Sequence, residues 1–243
     1  MSIDTVADLL LAARGGARVP WRAVAPADPA GAYAVQDAVA ARLGPVGGWK
    51  VGAANPEAVP NAAPCPAACL RGSGAVLDGP EWRLRGIEAE VGLRLGRDLD
   101  GAAPRAELAA AVEAVLPVIE VVETRLDGWG EADPLARLAD LQSHGALILG
   151  PPSRLDPAAL DLRTVAADLS VDGRAVAATR GGNPAEDVWR LLAWLADHAA
   201  ARGRPLRAGQ VVTTGSCTGM LFCAQGTRVA AELAGIGAVA MRF

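Results

Sequence analysis

Between Ile87 and Leu95 apolar and other residues alternate. Ile87, Ala89, Val91, Leu93 and Leu95 are interleaved with Glu88, Glu90, Gly92 and Arg94. A period of two is the signature of a half-buried strand. It sends both glutamates to one face, about 6–7 Å apart along the strand. A second strand-like run, Val115 to Val122, carries a single carboxylate, Glu120, among apolar neighbours. A carboxylate buried there needs a partner or is driven neutral. Three carboxylates on two strands, with oxygen as the ligand atom, describe a site for a hard cation such as Mg²⁺ or Mn²⁺. The alternative is a solvated glutamate pair facing arginines such as Arg83 or Arg94.

The same patterns outline the rest of the chain. Asp4 to Arg14 has a helical apolar side (Val6, Leu9, Leu10, Ala13) and stops at Gly15-Gly16. Asp28 as N-cap and Pro29 behind it open a second helix that runs to Leu43, before Gly44. Gly47 to Gly52 (GGWKVG) predicts a short strand presenting Lys50. Ala53 to Gly74, rich in Pro, Ala and Gly and without periodicity, predicts a long loop, suited to a lid over a bound ligand. Strands are expected at Trp82–Leu84, Ile87–Leu95, Val115–Val122 and Ala146–Leu149. Helices are expected over Pro104–Ala114 and Pro134–Ala139. Asp172-Gly173, between Ala167–Val171 and Arg174–Ala178, is a type I′ hairpin signal. Asn183, Pro184 and Glu186 resemble a capping box for a helix with the stripe Val188, Leu191, Leu192, Leu195 and Ala199, ending at Gly203. His198 falls in its last turn, where a charged ring would complement the helix dipole. Val211–Thr214, Thr227–Leu233 and Ala238–Phe243 close the chain as strands. This strand-heavy order with inserted helices predicts an α+β class rather than a βαβ alternation. The division is a helical N-terminal unit, 1–46, and a β-rich core, 47–243.

Composition changes the picture in three places. Half of the 243 residues are apolar, enough for a sizeable core, and the net charge of −4 without runs of one sign argues against nucleic acid and membrane surfaces. The opening MSIDTVADLL lacks the basic region of a secretory signal, so a cytoplasmic protein is expected. Cys65, Cys69, Cys217 and Cys223 do not form a redox pair by spacing; free thiols are expected, with zinc the alternative. Of the 23 basic residues one is lysine, Lys50. A lone lysine among arginines marks a position suited to a compact ammonium able to give up its proton. Nucleotide-binding, HExxH and GxSxG motifs do not occur.

Six segments together resemble the fumarylacetoacetate hydrolase superfamily: GWKVG at 48–52, the Glu-x-Glu of IEAEVGL, VIEVVETR at 118–125, ADLQSHGALILG at 139–150, GGNPAEDVWRLLAWLADHAAARGRPLRAGQVVTTGS at 181–216, and the closing GAVAMRF. Within it they look most like the 2-keto-4-pentenoate hydratase and 4-oxalocrotonate decarboxylase branch. The resemblance implies a mixed β-roll core and a divalent cation, Mg²⁺ or Mn²⁺, held by Glu88, Glu90 and Glu120, with Lys50 at the family's active-site lysine. It implies pocket-lining positions at Asp140, Gln142 and Ser143 and at Thr214, Gly215 and Ser216. His144 is a candidate acid–base residue, with structural hydrogen bonding as the alternative. The substrate class implied is a 2-oxo or 2-hydroxy-enoic acid, and a homo-oligomer is implied as well. The expected reaction is hydration of a 2-hydroxy-alka-2,4-dienoate to a 4-hydroxy-2-oxo acid. Decarboxylation of a 2-oxo acid, hydrolysis of an acylpyruvate, and a non-catalytic metal-binding partner of a related enzyme are the alternatives. AANPEAVP after GWKVG, APCPAACLRGSG, and Leu141 depart from the family pattern where substrate would be chosen.

Overall fold

The computed structural model describes residues 1–243. Its elements, in chain order, are α1 (Ile3–Ala12), β1 (Val19–Pro20), α2 (Pro29–Leu43), β2 (Val46–Gly52), β3 (Asn61–Pro66), β4 (Leu70–Gly72), β5 (Ala75–Val76) and β6 (Gly86–Leu95). They continue with α3 (Arg105–Ala111), β7 (Val112–Val122), β8 (Leu126–Asp127), α4 (Pro134–Ala139), β9 (His144–Leu149), β10 (Ala166–Val171) and β11 (Arg174–Arg180). The last are α5 (Val188–Ala201), β12 (Val211–Ser216), β13 (Leu221–Phe222), β14 (Arg228–Leu233) and β15 (Gly237–Arg242). The architecture is α+β. A large sheet runs β3-β2-β12-β6-β7-β9-β4, with β13 added on β6, and a smaller one runs β11-β10-β14-β15-β5. No helix is long and apolar enough to cross a membrane.

The alternation along β6 divides the large sheet into two faces. Ile87, Ala89, Val91 and Leu93 join Trp49 and Val51, the stripe of α5, and Leu169, Ala231 and Val239 of the small sheet in the main core. The opposite face has a small apolar patch of Cys65, Ala114, Leu116, Val118, Leu147 and Val211. Glu90 lies opposite Val118 and Glu88 opposite Glu120, so all three glutamates share that second face. A separate core joins α1, α2 and α4 through Val6, Leu10, Val35, Val39, Ala136 and Leu138, and reaches Ala63 of β3.

Several boundaries fall where local chemistry puts them. The Asp28 carboxylate accepts the Gly31 N–H at 2.7 Å and α2 ends before Gly44 at φ 97°. Asp172 (φ 48°) and Gly173 (φ 77°) turn the β10–β11 hairpin.

Other expectations are corrected. The expected loop Ala53–Gly74 contains two strands: β3 pairs antiparallel with β2, Lys50 opposite Ala63, and β4 pairs with β9. NAAPCP has poor strand propensity, but β3 is an edge strand, where proline is tolerated. The stretch up to Pro60 is irregular, and Arg190 ties it down through the Asn55 and Ala58 carbonyls. Trp82–Leu84 is not a strand; the N–H groups of Arg83 and Leu84 instead donate to the Glu123 carboxylate, each at 2.7 Å. The helix expected over Pro104–Ala114 stops at Ala111, because Val112 and Ala114 pair with Leu95 and Arg94. Finally, α5 starts later than its capping box suggested. Glu186 is left-handed (φ 60°), and Asp187 caps the helix by accepting from Trp189 and Arg190 N–H.

Candidate metal centre and active site

Strand pairing assembles the site. β6 contributes Glu88 and Glu90, β7 contributes Glu120 directly opposite Glu88, and β12 brings Ser216 opposite Glu90. Lys50 arrives from β2, opposite Thr213, which itself lies opposite Gly92. Glu88, Glu90 and Glu120 can each place one carboxylate oxygen within 4.8 Å of the others. Glu90 and Glu120 are 2% and 1% exposed. The solvated pair facing Arg83 or Arg94 is therefore not what forms. The Arg83 guanidinium donates to Gly16 and Ala13 carbonyls, and Arg94 reaches Glu113 at 4.0 Å.

Lys50 is the cation set among them. Its Nζ donates to Glu120 Oε1 and to the Gln142 carbonyl, the latter at 3.0 Å. Burial alone would lower its pKa, but Glu120, then Glu88 and Glu90, outweigh burial and hold it above the ordinary value. The carboxylates respond oppositely. Burial, then the Glu120 charge, raises Glu88 to about 7. Burial, then Glu120 and Glu88, pushes Glu90 well above the carboxylate range. Three carboxylates against one ammonium leave an excess of negative charge in a confined space. An all-oxygen donor set with uncompensated charge fits a hard dication, and these residues could hold Mg²⁺ or Mn²⁺.

The surroundings fix the carboxylates. Glu90 Oε2 accepts the Gly215 N–H at 3.1 Å. Asn183, 1% exposed, holds that turn by donating to the Thr214 and Gly215 carbonyls, both at 2.8 Å. On the other side Leu141, Gln142 and Ser143 are three successive left-handed residues, φ 47°, 52° and 57°. Each costs about 1 kcal/mol or more for a side chain with a Cβ. The turn aims the Gln142 carbonyl at Lys50.

A cavity of about 700 Å³ opens onto this centre through Lys50, Glu88 and Gln142. Its outer walls include Tyr33, Trp129, Leu135, Trp194 and Met220. Ser143 is on this wall and its Oγ accepts the Trp129 indole N–H at 2.8 Å. His198 is there too, stacked on Trp194 at 4.5 Å between ring centres. Burial, then Arg202, lowers its pKa to about 4. A neutral ring cannot complement the helix dipole, which corrects the expectation for His198. Of the expected site residues, Lys50, Glu88, Glu90, Glu120, Gln142, Ser143, Gly215 and Ser216 line the two adjoining cavities.

The others are elsewhere. Asp140 is buried against Arg125 at 2.5 Å and accepts from Thr124 Oγ1. Thr214 is buried and donates to the Val91 carbonyl. His144 is fully buried, its Nδ1 3.7 Å from Cys65 Sγ, and burial holds its pKa well below the usual value. It does not line the cavity, so an acid–base role there has no access. All four cysteines are free. Sequence reasoning missed Trp129, Trp194 and Arg137 as wall residues, and Glu123 and Asn183 as buried polar anchors. An isolated tryptophan or arginine carries no local pattern, whereas Asn183 was visible but read as a helix cap.

Comparison with known proteins places this geometry. The family model described as fumarylacetoacetate (FAA) hydrolase C-terminal matches residues 34–243. The 2-hydroxyhexa-2,4-dienoate hydratase of Comamonas testosteroni is 34% identical over 161 residues, covering 64% of this chain and 59% of that protein. A 2-keto-4-pentenoate hydratase of Paraburkholderia xenovorans (strain LB400) is 33% identical over 158 residues, covering 65% of this chain and 58% of that protein. The chain thus matches about three fifths of these relatives' length. Among solved structures, 4-oxalocrotonate decarboxylase from Pseudomonas putida G7, complexed with magnesium and adipate, superposes with a TM-score of 0.86. The match covers 99% of this chain and 97% of that one at 24% identity, a likeness of fold.

Proposed function

The chain belongs to the fumarylacetoacetate hydrolase family, and on that premise we propose that it is a Mg²⁺- or Mn²⁺-dependent lyase. The reaction is addition of water to a 2-hydroxy-alka-2,4-dienoate, giving a 4-hydroxy-2-oxo acid in the breakdown of ring-cleaved aromatics. The observation that carries this reading is the convergence of Glu88, Glu90 and Glu120 on one point, with Lys50 beside them, at the closed end of a mostly apolar cavity. The hydratase names of the relatives support the same reaction. The proposal extends to a homo-oligomer in the cytoplasm acting on a small 2-oxo or 2-hydroxy-enoic acid.

A bound dication supplies Lewis acidity toward negative charge that develops on a 2-oxo acid. The chain's own residues do the rest. Lys50, protonated and held between Glu120 and the Gln142 carbonyl, can turn an N–H toward a substrate carboxylate or pass its proton to a carbon or oxygen nearby. Trp129, Leu135 and Met220 line the hydrocarbon path and restrict water there. Ser143 orients Trp129 through its Oγ.

Decarboxylation of a 2-oxo acid is the second reading, favoured by the decarboxylase fold neighbour, whose structure carries magnesium and a dicarboxylate. Two experiments test the proposal. Titration calorimetry on Glu90→Gln, which keeps the shape and removes the charge, should show a sharp loss of Mg²⁺ affinity. Unchanged affinity would sink the three-carboxylate site. A screen of dienols and 2-oxo acids with Mg²⁺, on the purified protein alone, reads dienol absorbance and carbon dioxide. Dienol loss without carbon dioxide marks hydration. Absence of turnover would leave the reading of a non-catalytic metal-binding partner.

A further inference from the structure

Two positive groups and one negative group line the 700 Å³ cavity: Lys50, Glu88 and Arg137. Lys50 and Glu88 belong to the metal centre. Arg137 is on the outer wall, on α4, with Leu135 and Leu138 beside it. Its guanidinium lies over the Trp129 indole, 5.7 Å from the ring centre. That indole is fixed by Ser143 at 2.8 Å and by an edge contact with Phe222.

Arg137 has no side-chain hydrogen bond and no carboxylate within 4.0 Å. Other partly or fully buried arginines of this chain each have at least one polar partner, although the Nε of Arg18, Arg83 and Arg190 stays unpaired. Arg18, Arg125 and Arg202 each hold a carboxylate within 3.0 Å. Arg83, Arg85 and Arg190 donate to backbone carbonyls. A partly buried guanidinium that faces a ligand cavity without a counter-ion leaves its planar fork of N–H donors free. Stacking on Trp129 holds the plane while the edge stays open. An alkyl tail pressed against it would strip water from a charge and return nothing, which is a cost. The dipole of α4 does not explain it, because a six-residue helix has little dipole to complement.

We infer that Arg137 receives a second carboxylate at the far end of the substrate, so that the cavity takes a 2-oxo or 2-hydroxy-enoic diacid in preference to a monoacid with an alkyl tail. This rests on the proposed reading of the metal centre, which takes the 2-oxo end. The two ends of the cavity then divide the work. Glu88, Glu90, Glu120 and Lys50 fix the reacting end, and Arg137 sets which molecule is long enough and charged enough to span to it.

The test is binding of two unreactive ligands to the full-length, Mg²⁺-loaded protein by calorimetry: 2-oxopentanoate and 2-oxohexanedioate. The diacid should bind about 10- to 100-fold more tightly, the range of a charge-assisted hydrogen bond. In Arg137→Met the ratio of the two affinities should fall to near one, and in Arg137→Lys, which keeps the charge and loses the fork, to an intermediate value. Circular dichroism checks that both variants fold. Mg²⁺-dependent binding of both acids with equal affinity overturns the inference and leaves the metal-centre reading standing. A preference that survives in Arg137→Met also overturns it. Failure of both acids to bind in the presence of Mg²⁺ overturns the inference and the metal-centre reading together.

Discussion

Lys50 is the one lysine in a chain that elsewhere uses arginine, and it meets Glu120 within a cluster of three carboxylates. Arginine is larger and does not deprotonate near neutral pH. Both Lys50→Arg and Lys50→Ala should therefore lose at least ~100-fold in kcat on the best substrate, the lower range for a general acid–base group. Circular dichroism and Mg²⁺ titration show whether the fold and the metal site persist. Near wild-type kcat in the arginine variant would reduce Lys50 to a charge clamp. A second residue, His198, makes a prediction about pH. Arg202 Nη1 lies 3.2 Å from its Nε2 and can only donate, so the ring proton is on Nδ1. Burial and Arg202 lower the pKa to about 4, against the opposing pull of Asp37 and Asp197. Its unfolded value is about 6.5. Between these values the unfolded chain binds the proton and the folded one does not. The ring's contribution to stability is thus complete above about 6.5 and is lost as pH falls through about 4. An NMR titration of the ring should show its midpoint near 4, and His198→Gln should flatten the stability slope in that window. A midpoint above 6 would mean that the ring is neither buried nor faced by Arg202 as described.

At the scale of elements, the turn after β12 is held from outside itself. Asn183 fixes the Thr214 and Gly215 carbonyls, and the Gly215 N–H in turn holds Glu90. Asn183→Ala leaves two carbonyls without that partner in a buried place, at a cost of about 1–3 kcal/mol for each such group. Thermal unfolding of the metal-free variant should fall by at least ~2 °C, since 1 kcal/mol shifts Tm by roughly 2–4 °C in a chain of this size. Mg²⁺ affinity should fall with it. A variant with wild-type Tm and affinity would show that the turn supports itself. The contrast between β3 and β6 belongs here as well. β6 was legible because alternation is a local signal. β3 was hidden because alanine, proline and cysteine carry no strand signal, and its strand state comes from pairing with β2.

For the whole molecule, two cores matter. The helices of residues 1–46 do not merely precede the β-rich part; Val35 and Val39 share a core with Leu138, Leu141 and Ala63. Tyr33 from α2 reaches the large cavity. The proposed division at 46/47 is therefore a division of composition. Removing residues 1–46 should expose the apolar side of α4 and the back of β3. The fragment 47–243 is expected to bind a hydrophobic dye such as ANS and to melt without a sharp transition. A cooperative melt with low dye binding would show the core to be independent. The candidate metal centre is built on the middle strands of the large sheet, where β6 lies between β12 and β7, and β7 between β6 and β9.

The sequence by itself determined what depends on neighbours a few residues apart. Alternation along Ile87–Leu95 set Glu88 and Glu90 on one face, Asp28-Pro29 and Gly44 bounded α2, and Asp172-Gly173 turned a hairpin. Backbone sterics and side-chain periodicity decide these within one or two turns of chain. The resemblance of GWKVG and Glu-x-Glu to a family then named Lys50 and Glu120 as companions. Only tertiary structure decided how they meet. Register between β6 and β7 put Glu88 opposite Glu120, and a left-handed turn aimed the Gln142 carbonyl at Lys50. The same long-range packing withdrew Asp140, Thr214 and His144 into the interior and brought Trp129, Arg137 and His198 to one cavity. Whether a polar side chain faces a ligand or another buried group depends on which distant segment packs against it, and no local pattern carries that.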